Sequence, residues 1–75
     1  MSDNMVIIHD IKPMQAMAHK DELLASGLKL HEDFEWAYIP GFYDNFSYDA
    51  AVRSRVEFEF EDPATATFFR LKWGV

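Results

Sequence analysis

The stretch Val52-Arg53-Ser54-Arg55-Val56-Glu57-Phe58-Glu59-Phe60-Glu61 alternates side-chain character residue by residue, and Asp62-Pro63 follows it. Period two is the repeat of a β-strand with one oily face and one wet face. Asp-Pro then supplies a cap and a first helical residue. The wet face carries Arg53 and Arg55, then Glu57, Glu59 and Glu61. That row changes sign along its length, so it constrains both strand pairing and any docking partner.

The other elements follow from the same kind of pattern. Met5-Val6-Ile7-Ile8 reads as a short strand buried on both faces, extending toward Ile11. Pro13 suits a helix first turn, residues 13–26 are mostly helix formers, and Gly27 suits a left-handed stop. Met14, Met17, Leu24 and Leu28 fall along one side of that helix, with Ala16, Lys20 and Leu23 beside them. Leu28 to Ile39 alternates again, with Glu32 marking a bulge or a strand start. Residues 42–50 read as an aromatic-rich loop. The chain from Asp62 reads as a helix presenting Ala64, Phe68, Phe69, Leu71 and Trp73, with Gly74 ending it.

The expected order is β-α-β-β-α in a single small domain over residues 1–75. An antiparallel hairpin with both helices on one face makes it an α+β protein, a two-layer α/β sandwich. A crossover from the first strand sets it parallel to the second or third. The arrangement resembles a ferredoxin-like unit lacking its last strand. Charge selects a hairpin register in which Glu35 faces Arg53, Asp33 faces Arg55, His31 faces Glu57 and Lys29 faces Glu59.

Size and composition narrow the function classes. A domain of 75 residues has a thin core and no cysteine to staple it, and its seven Phe, three Tyr and two Trp supply the buried area instead. Absence of cysteine fits a reducing cytoplasm. The net charge of −6 argues against direct contact with nucleic acid or an anionic membrane. No apolar run is long enough to span a bilayer, and Met1-Ser2-Asp3-Asn4 lacks the start of a signal peptide.

Catalytic chemistry lacks its parts. The serines sit in no elbow or triad context, and the glycines are isolated. His9-Asp10, His19 and His31-Glu32-Asp33 offer ligand types at spacings that match no zinc pattern. No enzyme activity, cofactor or metal is expected. Two features point to a protein partner. The segment Phe42-Tyr43-Asp44-Asn45-Phe46-Ser47-Tyr48-Asp49 has four aromatics in eight residues. Tyr43, Asp44, Phe46 and Tyr48 are its candidate contacts, although Phe42 and Phe46 fit equally well as core plugs. The second feature is the acidic row Glu57, Glu59 and Glu61. Alternate strand residues lie about 6.7 Å apart, roughly the phosphate spacing of a nucleic-acid strand, so an acidic DNA mimic that inhibits a nucleic-acid-binding protein is one alternative. Another is a small structural protein that forms a homodimer by pairing two copies of strand 52–61 about Glu57.

The run Phe58-Glu59-Phe60-Glu61-Asp62-Pro63-Ala64-Thr65-Ala66-Thr67-Phe68-Phe69-Arg70-Leu71-Lys72-Trp73-Gly74 resembles the endings of short uncharacterised proteins of tailed phages. Those endings pair an acidic-aromatic strand with a helix closing on a Phe-x-Leu-Arg/Lys-Trp type motif. The resemblance implies a viral accessory protein in the host cytoplasm that binds and modulates a host or viral protein. It carries no functional residue over.

Overall fold

The computed structural model describes residues 4–43 and 50–75, and side chains within these except at 42, 43 and 50–52. The order is β1 (Met5–His9), α1 (Pro13–Ala25), β2 (Phe34–Ile39), β3 (Phe42–Tyr43), β4 (Ala50–Val52), β5 (Arg55–Phe60) and α2 (Pro63–Trp73). The long elements keep the β-α-β-β-α order of an α+β fold, and a short β3–β4 ladder is inserted in the hairpin.

The three long strands form one antiparallel sheet in the order β1-β5-β2. β1 therefore runs parallel to β2 with β5 between them, which is the first-third-second order of a ferredoxin-like unit without its last strand. Because β5 is central and paired on both sides, the strand 52–61 homodimer is overturned: its edge is already filled. The expected double burial of β1 is also corrected. It is an edge strand with Val6 buried and Ile7 exposed on the opposite face.

Register follows the aromatics, not the charges. Phe34 pairs with Phe60 and Trp36 with Phe58, so Glu35 faces Glu59 and Arg53 falls outside this ladder. The expected register is wrong by six residues, an even shift that keeps the same side chains on the buried face. A cross-strand charge pair is worth about 0.2–1 kcal/mol, whereas burying one Phe is worth about 1.5–3 kcal/mol. The same offset continues through Phe42 opposite Val52 before shifting at Tyr43, so β2–β3 and β4–β5 form one interrupted hairpin. Residues 42, 43 and 50 are therefore ladder, not loop; Asp44, Phe46 and Tyr48 lie outside the described residues.

Both helices pack on the face made by Val6, Val56, Phe58 and Phe60. α1 starts at Pro13, with the Lys12 N–H donating to Gln15 Oε1 at 3.0 Å, and ends at Gly27 with φ 94°. It buries Ala16 and Leu23 and leaves Met14, Met17 and Leu24 exposed, the reverse of a simple hydrophobicity reading. Small Ala16 lets the helix approach the sheet, and Lys20 lies along it with its ammonium 5.4 Å from the Trp36 ring. Residues 29–33 make a turn, not a strand: the Lys29 and Asp33 N–H groups donate to Asp33 Oδ2 and the Lys29 carbonyl, each at 2.8 Å. α2 is capped by Asp62 Oδ1, which accepts from the Ala64 N–H at 3.0 Å, and closes on left-handed Gly74. Its Phe69 stacks on Phe60 at 5.8 Å, and Trp73 meets Phe58 at 5.4 Å.

Candidate interaction face

The helices cover one side of the sheet, and the other side is open among the described residues. Alternation dictates what it shows. Along β5 it presents Arg55, Glu57 and Glu59; along β1, Met5, Ile7 and His9; along β2, Glu35, Ala37 and Ile39. The register sets these in rows: Met5-Glu59-Glu35, then Ile7-Glu57-Ala37, then His9-Arg55-Ile39. A charged ridge thus runs down the middle strand with apolar side chains on both flanks.

The ridge is not uniformly acidic. Arg55 Nε donates to Glu57 Oε2 at 3.0 Å on the same strand, and both are partly shielded. Glu57 is therefore satisfied internally, which shortens the carboxylate ladder expected of Glu57, Glu59 and Glu61. Glu59 has no cation beside it among the described residues, and its cross-strand neighbour is Glu35. Glu35 in turn meets His31, with Nδ1 and Oε2 2.6 Å apart. A depression of about 160 Å³ lies on this face between Met5, Glu35, Ala37, Glu57 and Glu59. At the sheet end a second one, of about 110 Å³, is lined by His31, Glu32, Asp33, Glu35, Glu59 and Glu61. Glu61 is exposed there, and its N–H donates to the Asp33 carbonyl at 2.9 Å.

Of the sequence-derived candidates, Glu57 and Glu59 share the open face and Glu61 sits at its end. Tyr43 is in β3, and Asp44, Phe46 and Tyr48 fall outside the described residues. Glu35, Met5, Ile7, Ala37 and Ile39 were not among those candidates. Period two in β2 carries the signal for Ala37 and Ile39, whereas Met5-Val6-Ile7-Ile8 is apolar throughout, so which side of β1 stays open depends on its pairing with β5. Glu35 became visible only with the register, since the charge-matched register had neutralised it against Arg53.

His9 and His19 line one depression of about 350 Å³ with Asp10 and Gln15, and His31 lies apart from them beside Glu35. Asp10 is held by Arg53 at 3.1 Å, and the His19 ring packs 4.5 Å from that of Trp73. Among the described residues no group of three or more His, Asp or Glu is arranged to hold a metal ion. None of their polar or charged side chains is buried. Glu22 links the helices, accepting from Lys72 Nζ at 2.8 Å and Trp73 Nε1 at 3.3 Å. The Lys72 hydrogen bond holds the Glu22 carboxyl below its ordinary range, against the opposing effect of burial. No helix among the described residues is long and apolar enough to cross a membrane. No family model, curated protein or solved structure matches the chain.

Proposed function

We propose that the chain is a non-enzymatic protein-binding module, an accessory factor of the kind tailed phages encode, that docks on a host or viral protein in the cytoplasm and modulates it. The observation that carries this reading is the open sheet face. It sets Glu35 and Glu59 directly opposite each other, with apolar side chains on either side. Like charges paired across strands cost stability, roughly 0.2–1 kcal/mol, so the arrangement is better suited to a positively charged surface than to the free chain. Burial supports the same reading: the core of the described residues is wholly apolar, so their polar chemistry lies at the surface. Tyr43, Asp44, Phe46 and Tyr48 belong to this reading as anchoring residues.

The test has two steps. Immobilised wild-type protein is used to capture a partner from bacterial lysate, and that partner, purified, is titrated calorimetrically against wild type, Glu59→Lys and Tyr43→Ala/Tyr48→Ala. Saturable one-to-one binding that either variant weakens about tenfold supports the reading. A wild-type bait that retains nothing beyond the bare matrix, or a partner whose affinity neither variant changes, removes it.

A further inference from the structure

We infer that the open sheet face takes a basic amphipathic helix of the partner, laid along β5 with its cations over Glu35 and Glu59 and its apolar residues against β1 and β2. The inference rests on the protein-binding reading above and adds the shape and chemistry of the segment bound.

Width is the first argument. Neighbouring strands lie about 4.8 Å apart, so the flanking strands are about 10 Å apart across β5. That matches a helix with its side chains, about 10–12 Å across. Spacing is the second. Successive outward residues of β5 are about 6.7 Å apart, and residues three or four apart on a helix are about 5–6 Å apart, so Lys or Arg one turn apart follow the acidic end of the ridge, at Glu59 and away from Arg55.

Chemistry excludes simpler occupants. A small polycation or metal ion would match the carboxylates and leave Met5, Ile7, Ala37 and Ile39 uncovered. A purely apolar segment would strand Glu35 and Glu59 away from water without a partner, at the cost of burying unpaired charge. A nucleic-acid strand is repelled. An added β-strand would pair with an edge of the sheet and not its face, and at β1 the Arg70 Nη2 already donates to the outward Met5 carbonyl at 2.6 Å. Only a segment with a cationic row flanked by apolar residues satisfies ridge and flanks together. Because Arg55 neutralises Glu57 from within, the cations belong at the Glu35–Glu59 row, where the depression between Met5, Glu35 and Glu59 seats the end of a long side chain.

The probe is a fluorescent synthetic peptide of Leu and Lys, about 18 residues long so that it holds a helix, with Lys in one row and Leu on both sides of it. Its comparator has the same composition with Leu and Lys alternating at period two. Anisotropy titration is run against wild type, Glu59→Lys, Asp21→Lys and Ile7→Asp, each checked for folding by circular dichroism. Asp21 is an exposed α1 residue, so Asp21→Lys makes the same charge change away from the face. Ile7→Asp adds negative charge, which would strengthen a purely electrostatic contact. The expected result is saturable binding of the helical peptide, weakened about tenfold by Glu59→Lys and by Ile7→Asp and changed less than about threefold by Asp21→Lys. Amide shift changes on wild-type protein are expected at Ile7, Glu35, Ala37, Glu57 and Glu59, and this mapping decides the matter even where a variant does not fold.

Three outcomes overturn the inference: equal losses for Glu59→Lys and Asp21→Lys, tighter binding by the alternating peptide, or shifts confined to the outer residues Met14, Phe68 and Leu71 of the helices. None of these removes the protein-binding reading, which fails separately if the capture experiment yields no partner.

Discussion

Phe58 is fully buried at the centre of the sheet and touches rings on both layers: Phe34 and Trp36 across the ladder, Phe60 on its own strand and Trp73 on α2. Truncation to Ala removes the shared surface of five side chains, and such changes cost about 3–5 kcal/mol. A domain of this size has about 4–11 kcal/mol in all. Phe58→Ala is therefore expected to lower the urea midpoint by at least about a quarter of the wild-type value; a midpoint within experimental error of wild type would contradict a core built on this residue. Glu22 gives a prediction of a different kind. Its folded pKa lies below its ordinary value of 4.5, with the Lys72 hydrogen bond as the main cause. The stabilising contribution is thus fully present above that ordinary value and is lost as pH falls through the lower, folded one. Both groups are partly solvated, so the coupling is expected to be under about 1 kcal/mol. A double-mutant cycle of Glu22→Gln and Lys72→Met should show it at pH 7 and not at pH 2. A coupling of equal size at both would assign it to packing.

At the scale of elements, what could be read from the sequence was what local chemistry decides. Pro13 and Gly27 bound α1, and Asp62-Pro63 and Gly74 bound α2, because each acts through its own backbone angles or a hydrogen bond within a few residues. Which side of a helix packs is decided by distant groups. Met14, Met17 and Leu24 form a credible stripe, yet Ala16 and Leu23 are the side chains that meet the sheet. Hairpin register is likewise a long-range property. Charge matching placed Glu35 against Arg53, but four aromatic residues, Phe34, Trp36, Phe58 and Phe60, bury more free energy than the charge pairs offer. The acidic face was half legible for the same reason: Glu57 and Glu59 follow from one strand's alternation, and Glu35 depends on how two strands align. The alignment has a measurable consequence. Glu59→Gln removes a like-charge pair and is expected to stabilise the free protein by about 0.2–1 kcal/mol at low salt, a gain that shrinks in high salt. Thermal unfolding at two ionic strengths checks this; a destabilised variant would mean that Glu59 has an attractive partner within the chain.

For the whole molecule, the topology assigns every backbone amide of the sheet to an inside or an outside. The Phe60 N–H donates to the Asn4 carbonyl and the Asp10 N–H to the Ser54 carbonyl, which turns the even-numbered residues of β1 toward β5. Met5, Ile7 and His9 then point their backbone groups to the outer edge. On the other side the Glu61 N–H donates to the Asp33 carbonyl, which turns Glu35, Ala37 and Ile39 inward and Trp36 and Tyr38 outward. β5 has ladders on both sides, so all of its amides are engaged. Hydrogen exchange followed by NMR should therefore find Val56, Glu57, Phe58, Glu59 and Phe60 among the slowest amides, exchanging only with global opening. Ile7, His9, Trp36 and Tyr38 should exchange orders of magnitude faster despite lying in regular strands. The pattern separates this sheet from one in which strand 52–61 is an edge, as the homodimer alternative requires. There, alternate amides from 55 to 60 of the single chain would exchange rapidly. Uniform protection along β5 also keeps the open face rigid beneath its charged ridge, because a central strand opens last. Fast exchange at Glu57 and Glu59, whose amides face β2, would dissolve the opposed Glu35 and Glu59, and with them the reason to expect a basic helix on this face.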